Sequence, residues 1–367
     1  MGTVLIVAIV PKESIETLVS DEMTDLCDYI VRIQARGTMK REEWTDRFLP
    51  FVQPEECIVQ FIVNKTNANA VIDILIKNGR LDCSNSGTLM VFPCHYMTAD
   101  KKVKTISKSK KSKQLKSDLN MIVAIMQKEK ADSLAAYALS LGIAGPTIIF
   151  GNGKGIRDRM GLVRIAINPE KEIVTMVVSR DESDMIFEKL CVKGDFHLAG
   201  EGLIYEVPVT EGILNSPSVV TSEEKTVSMS QVVQAIDELK GSKKWRRNLG
   251  ESFGGPADNN LDYLENLECL SCYVPEEVSE SVVMAALQAG APAASLYHGE
   301  CVKPLSHKKE NQSSVSLGNP QDVIEFVLAK EMVEKVTNAI KKELLVSKNK
   351  EFVMINHPIK RAFTYLE

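Results

Sequence analysis

The chain has 367 residues, of which 44% are hydrophobic and 25% charged, and its formal net charge is −5. Those values are ordinary for a soluble globular protein of two or three domains, with enough apolar residues for more than one core. The acidic balance argues against nucleic acid as the main partner, and no apolar run approaches the length of a membrane span.

The opening stretch, "MGTVLIVAIVPKES", has no basic segment before its apolar run, and that run breaks at Pro11. It therefore does not read as a secretion signal. Ile6 stands where an N-terminal acylation signal needs Ser or Thr. A cytoplasmic protein without membrane insertion is the expectation. The eight cysteines are scattered. Cys269 and Cys272 lie inside an apolar strand-like run and read as buried thiols.

In chain order, the pattern predicts a strand at Val4–Val10, a helix at Ser14–Leu26 and a strand at Tyr29–Gln34. A strand at Cys57–Val63, a helix at Ala68–Lys77 and a strand at Thr88–Phe92 follow. The same series then recurs. "VAIVPKESIETL" from Val7 matches "VAIMQKEKADSL" from Val123, and "VQPEECIVQFIV" from Val52 matches "INPEKEIVTMVV" from Ile167, each at about 115 positions' separation. "LMVFP" and "IYEVP" keep that separation. A fainter third series runs through "YVPEEVSESV", "GNPQDVIEFVL" and "MINHP". Each series reads βαββαβ. The predicted fold class is α+β, with three ferredoxin-like βαββαβ units in one chain arranged as a pseudo-threefold trimer. The boundaries are residues 1–97, 118–213 and 267–367.

Two linkers separate these units. Residues 98–117 hold eight lysines between Lys101 and Lys116 and read as a solvated tether. Residues 214–266 contain a predicted helix, "SMSQVVQAIDELKG", and a Trp245 flanked by Lys and Arg.

The second unit contains "FGNGKGIRDRMG", Phe150–Gly161. Its glycines fit neither the dinucleotide nor the Walker pattern. On its own it reads either as a basic hairpin loop or as a nest of amides for an anion. Downstream stands Gly200-Glu201-Gly202. Two glycine-rich loops at the same ends of adjacent strands can converge on one anion. Arg36-Gly37-Thr38 and His298-Gly299-Glu300 occupy the position of Asn152-Gly153-Lys154 in the other two units. No Ser-His-Asp set, paired carboxylate motif or His/Cys metal cluster stands out, and the five histidines are dispersed. Neither an enzyme nor a metal site is expected.

"GPTIIFGNGKG" and "GEGLIYEVPV", in a repeated βαββαβ order, resemble the P-II nitrogen-regulatory signalling proteins. The resemblance implies a signalling protein that binds an adenine nucleotide in a cleft between units (ATP, ADP, AMP or a related adenosine compound). It also implies a long loop that docks on a target protein. The implied nucleotide-binding residues are Gly151, Asn152, Gly153, Lys154, Gly155, Arg157, Gly200, Glu201 and Gly202. A second candidate site comprises Arg36, Gly37, Thr38 and Gly87. Lys360, Arg361 or His95 would supply a neighbouring unit's contact. Two positions depart from that family's pattern. Leu203 replaces a Lys and Arg157 replaces a Gln, which argues against Mg-ATP with 2-oxoglutarate. The chain is expected to act as a monomer. The alternative reading is a ligand-free interaction scaffold.

Overall fold

A computed structural model describes residues 2–38, 54–83, 86–96, 115–143, 145–155, 170–214, 261–302, 319–347 and 352–365. The first segment contains β1 (Thr3–Pro11), α1 (Ile15–Leu18), α2 (Asp21–Leu26), β2 (Tyr29–Arg36), β3 (Glu55–Asn64), α3 (Ala68–Gly79) and β4 (Thr88–Tyr96). The second contains β5 (Leu119–Gln127), α4 (Ala131–Ser140), β6 (Thr147–Gly155), β7 (Glu170–Ser179), α5 (Ser183–Lys193), β8 (Gly202–Pro208) and β9 (Glu211–Ile213). The third contains β10 (Leu267–Pro275), α6 (Glu276–Ala289), β11 (Ala293–Cys301), β12 (Pro320–Ala329), α7 (Val333–Val346), β13 (Val353–Ile359) and β14 (Arg361–Thr364). The expected Lys-rich tether and the helix of the second linker lie largely outside the described residues. The helix expected over Ser14–Leu26 is interrupted, because Val19 and Ser20 take extended backbone between α1 and α2.

The expected three ferredoxin-like βαββαβ units in a pseudo-threefold trimer are corrected by the sheet itself. All the strands among the described residues join one antiparallel sheet of 14 strands, in the order β11-β12-β10-β13-β4-β1-β3-β2-β6-β7-β5-β8-β14, with β9 on β4. The reason lies in the strand edges. An unpaired edge exposes a row of backbone donors and acceptors, and here these edges are paired by strands from another segment. The end of β4 pairs β13, β9 pairs β4, and β14 pairs β8. At the end of the path, β11 also pairs β2 and β6, so the sheet turns back on itself.

The strands are apolar on both faces because both faces are covered. Alternate residues face two different cores. On the inner face, Val7, Ile62, Val123, Val177, Tyr273 and Ile355 belong to one cluster shared by all three segments. On the outer face, each segment's helices close a separate cluster. In α3, Ala68, Val71, Ile72, Leu75 and Ile76 are buried, the three-and-four spacing that turns one helix face to the sheet. Cys269 and Cys272 sit three apart in β10 and so fall on opposite faces, Cys269 inner and Cys272 outer. Both are buried and unbridged. Among the described residues no helix is long and apolar enough to cross a membrane.

One ionic knot fastens the C-terminal strand. Glu206 of β8 has a fully buried side chain. It accepts from Arg361 Nε at 2.6 Å, Lys360 Nζ at 3.1 Å and Asn120 Nδ2 at 2.5 Å. The Arg361 guanidinium also donates to Asp184 at 2.8 Å and lies over the rings of Phe187 and Tyr263, at 4.4 and 5.1 Å. Removing one partner of a buried pair leaves charge without compensation. Arg361→Ala is expected to cost roughly 3 kcal/mol, the lower end of the range because Lys360 and Asn120 remain. Denaturant unfolding of the two proteins measures the loss.

Candidate functional site

Gly151–Gly155 is not a free loop. It is the second half of β6. Gly151 and Asn152 are opposite Lys171 and Glu170 of β7, and Asn152 to Gly155 are opposite Leu296 to Ala293 of β11. Close approach requires glycine at Gly151, where the neighbour is backbone, and less so at Gly153, where it is the flexible end of a lysine. A Cβ on Gly151 would stand 2.7 Å from the Leu296 carbonyl oxygen, and one on Gly153 2.9 Å from Lys171 Cε. Lys154 reaches out from this strand to Glu280 of α6, 3.0 Å away. Arg157 lies outside the described residues.

Gly200-Glu201-Gly202 is the turn into β8. Gly202 has φ +131°, and a Cβ there would meet the Ile125 carbonyl oxygen at 2.0 Å. Gly87 repeats that geometry against Ile9, with φ +131° and a contact of 2.4 Å. Both glycines let the chain enter a strand directly over the end of its neighbour, β5 or β1.

The two glycine segments of the second unit are brought together by side chains that the sequence reading did not single out. Lys171 runs alongside Gly153, and its Nζ donates to Gln127 Oε1 at 3.0 Å. Gln127 Nε2 in turn donates to the Gly200 carbonyl at 2.9 Å. Lys130 pairs with Glu201, Lys128 with Glu170 at 2.8 Å, and the Thr364 hydroxyl of β14 donates to the Gly202 carbonyl at 2.7 Å. Lys128, Lys130 and Lys171 thus stand at the neighbouring ends of β5, β7 and the turn into β8, whereas Lys154 is directed to α6. The signal was present in "QKEK" and "PEKE", which stand at strand ends beside each glycine run, but only pairing of β5 with β7 and β8 puts them side by side.

The second candidate site is occupied by the protein's own contacts. Arg36 donates to Asp132 at 2.5 Å and to Glu172 at 3.5 Å, and its guanidinium lies over the Phe150 ring at 5.2 Å. Glu172, nearly fully buried, also accepts from the Ala131 amide at the start of α4, at 2.9 Å. The Thr38 hydroxyl donates to the Pro146 carbonyl at 2.7 Å. Gly37 packs against the Glu56 carboxyl. Among the described residues no hydrogen bond joins Arg36, Gly37 or Thr38 to Gly87. Lys360 and Arg361 serve the Glu206 knot rather than a glycine loop. His95 is exposed on β4, opposite Asn356. His197 is exposed in the turn before Gly200.

Glu56 sits where the first two segments meet. It accepts from the Thr147 hydroxyl at 2.8 Å. Burial pushes its carboxyl from 4.5 up to about 7, with the Thr147 hydrogen bond pulling the other way.

No family model matches the chain, and no curated protein matches it. The expected three-copy ferredoxin-like pseudo-trimer is corrected by the sheet order. The fold is the continuous sheet.

Two outcomes follow from this geometry. The folded state holds the Glu56 proton more tightly than the unfolded chain, so the contribution of Glu56 to stability is greatest below about pH 4.5 and declines as pH rises towards 7. The decline is expected to be roughly 2–3 kcal/mol. Glu56→Gln abolishes that part of the slope in denaturant titrations across this range. Gly202→Ala is expected to cost roughly 2–4 kcal/mol through its clash and its disfavoured φ. Gly155→Ala, whose Cβ would find nothing closer than 3.9 Å, leaves the melting temperature within a degree or two, roughly. Thermal unfolding of the pair checks both.

Proposed function

We propose that the chain is a non-catalytic regulatory protein of the cytoplasm that binds an adenine nucleotide. Its phosphates would be held by the lysines bordering β6, β7 and the turn into β8. The nucleotide-bound state would then be read by a partner protein. One observation carries this reading. Gln127 and Lys171 link the two glycine segments, and Lys128 and Lys130 stand beside the link. The adenosine part rests on the resemblance of "GPTIIFGNGKG" and "GEGLIYEVPV" to the P-II proteins.

Electrostatics makes an anion an economical occupant. The ion pairs Lys128–Glu170, Lys130–Glu201 and Lys154–Glu280 are all solvent-accessible. Exposed pairs contribute about 0–1 kcal/mol each. A triphosphate or diphosphate can replace the carboxylates at small cost and gains several charge-assisted hydrogen bonds. The affinity should therefore fall with added salt.

A second reading has its own support. Gly153 to Gly155 lie in register with β11, as glycines would in a scaffold whose role is to close a sheet. On this reading the chain is a ligand-free interaction scaffold.

Calorimetric titration with ATP, ADP, AMP, cyclic AMP and S-adenosylmethionine separates the two. The nucleotide reading expects saturable binding of one of them, weakened at least about tenfold in Lys130→Ala/Lys171→Ala, or about 1.4 kcal/mol. These substitutions of half-buried side chains are preferable to a change at Gly202, which would disturb the strand itself. A flat titration of the folded wild-type chain with all five compounds would leave the scaffold.

A further inference from the structure

The inner face of the sheet lines a cavity of about 50 Å³. Most of its wall is aliphatic, but six polar side chains line it: Gln60, Thr175, Tyr205, Tyr297, Glu325 and His357. They come from β3, β7, β8, β11, β12 and β13, so all three segments contribute. Three of them are equivalent by position. Gln60, Thr175 and Glu325 are each the sixth residue of their strand, and they stand opposite Val7, Val123 and Ser271 in the neighbouring strands. An all-apolar sheet core would have Val or Ile at such positions.

The hydrogen bonds within this group are incomplete. The Tyr297 hydroxyl donates to Glu325 Oε1 at 2.7 Å, and the Tyr273 hydroxyl donates to Gln60 Oε1 at 2.8 Å. The second bond uses the carbonyl end of Gln60 and leaves its amide hydrogens to point elsewhere. His357 is 5% exposed, its ring is stacked on Phe92 at 5.9 Å, and its Nδ1 has no partner among the described residues. Burial lowers its imidazole to about 4, so the ring is neutral at pH 7. Burial raises the Glu325 carboxyl, with the Tyr297 and Tyr205 hydroxyls opposing the shift.

A buried polar atom without a partner is rare in native proteins. A cavity can supply one only if it is polar and roomy enough for water, which takes roughly 10–15 Å³ of such space per molecule and two to four polar partners. This cavity meets both conditions. We infer that it is a built hydration site that holds about three to five ordered waters, one bonded to His357 Nδ1 and the others to the Thr175 hydroxyl, the Gln60 amide and the Glu325 carboxyl. The waters complete a set of side chains of unequal length, Gln, Thr and Glu, that cannot all reach one another across the space.

The test is a high-resolution crystal structure of the full chain, native and under xenon pressure, with His357→Leu as a third crystal. The inference expects water in the native cavity within roughly 2.7–3.2 Å of Nδ1, no xenon there, and loss of the Nδ1-bound water in His357→Leu. A cavity that is dry and takes xenon would overturn it, since dry cavities are the ones that bind such gases. So would a bound ion or metabolite in place of water, or a water at the Nδ1 position that survives His357→Leu.

Discussion

The structure depends on the requirement that backbone amides and carbonyls at a buried strand edge find partners. Each segment alone would end in strands with open edges. The chain resolves this by adding the tail of one segment to the sheet of another: β4 to β13, β9 to β4 and β14 to β8. With the further pairing of β11 to β2 and β6, the strands make one sheet rather than three. The edge constraint therefore sets the architecture, and the inner cluster that all three segments share is its consequence.

Charge follows the same seams. Glu206, Glu172 and Glu56 are buried or half-buried acidic groups found where segments meet, and each is answered from a neighbouring segment, by Arg361 and Lys360, by Arg36, and by Thr147 respectively. Buried pairs of this kind are weak evidence of added stability, because desolvation offsets much of their attraction. Their geometry instead distinguishes correct docking of a tail from a shifted one. Arg361 illustrates this, since its guanidinium can satisfy Glu206 and Asp184 and stack on two rings only in the observed register.

The proposed phosphate site and the hydration site occupy opposite conditions. The first lies at strand ends, in water, where lysines exchange one anion for another at little cost. The second lies inside the sheet, where every unpaired polar atom is expensive. Neither depends on the other. The glycines of the first serve the sheet as well as any ligand, which is why Gly202 and Gly87 share a conformation although only Gly202 stands in a Gly-x-Gly pair.

Much of the local structure was legible in the residues. β1 lies where a continuous β-branched apolar run predicted it, and α3 lies where apolar residues recur at three and four. The recurrence of segments at about 115 positions was also visible, because it is a property of the residue order alone. The interruption after Leu18 was not, since Val19 and Ser20 fit a helical pattern and only packing breaks it. Nor was the strand character of Gly151–Gly155, because glycine carries little local preference and its conformation here is imposed by β11, more than 130 residues away. The pairing of tails, the meeting of Lys171 with Gln127, and the polar cavity under Glu325 were decided by tertiary structure alone. Strand pairing is set by which edges meet in space, and a one-dimensional pattern records which residues can form an edge, but not which edge they join.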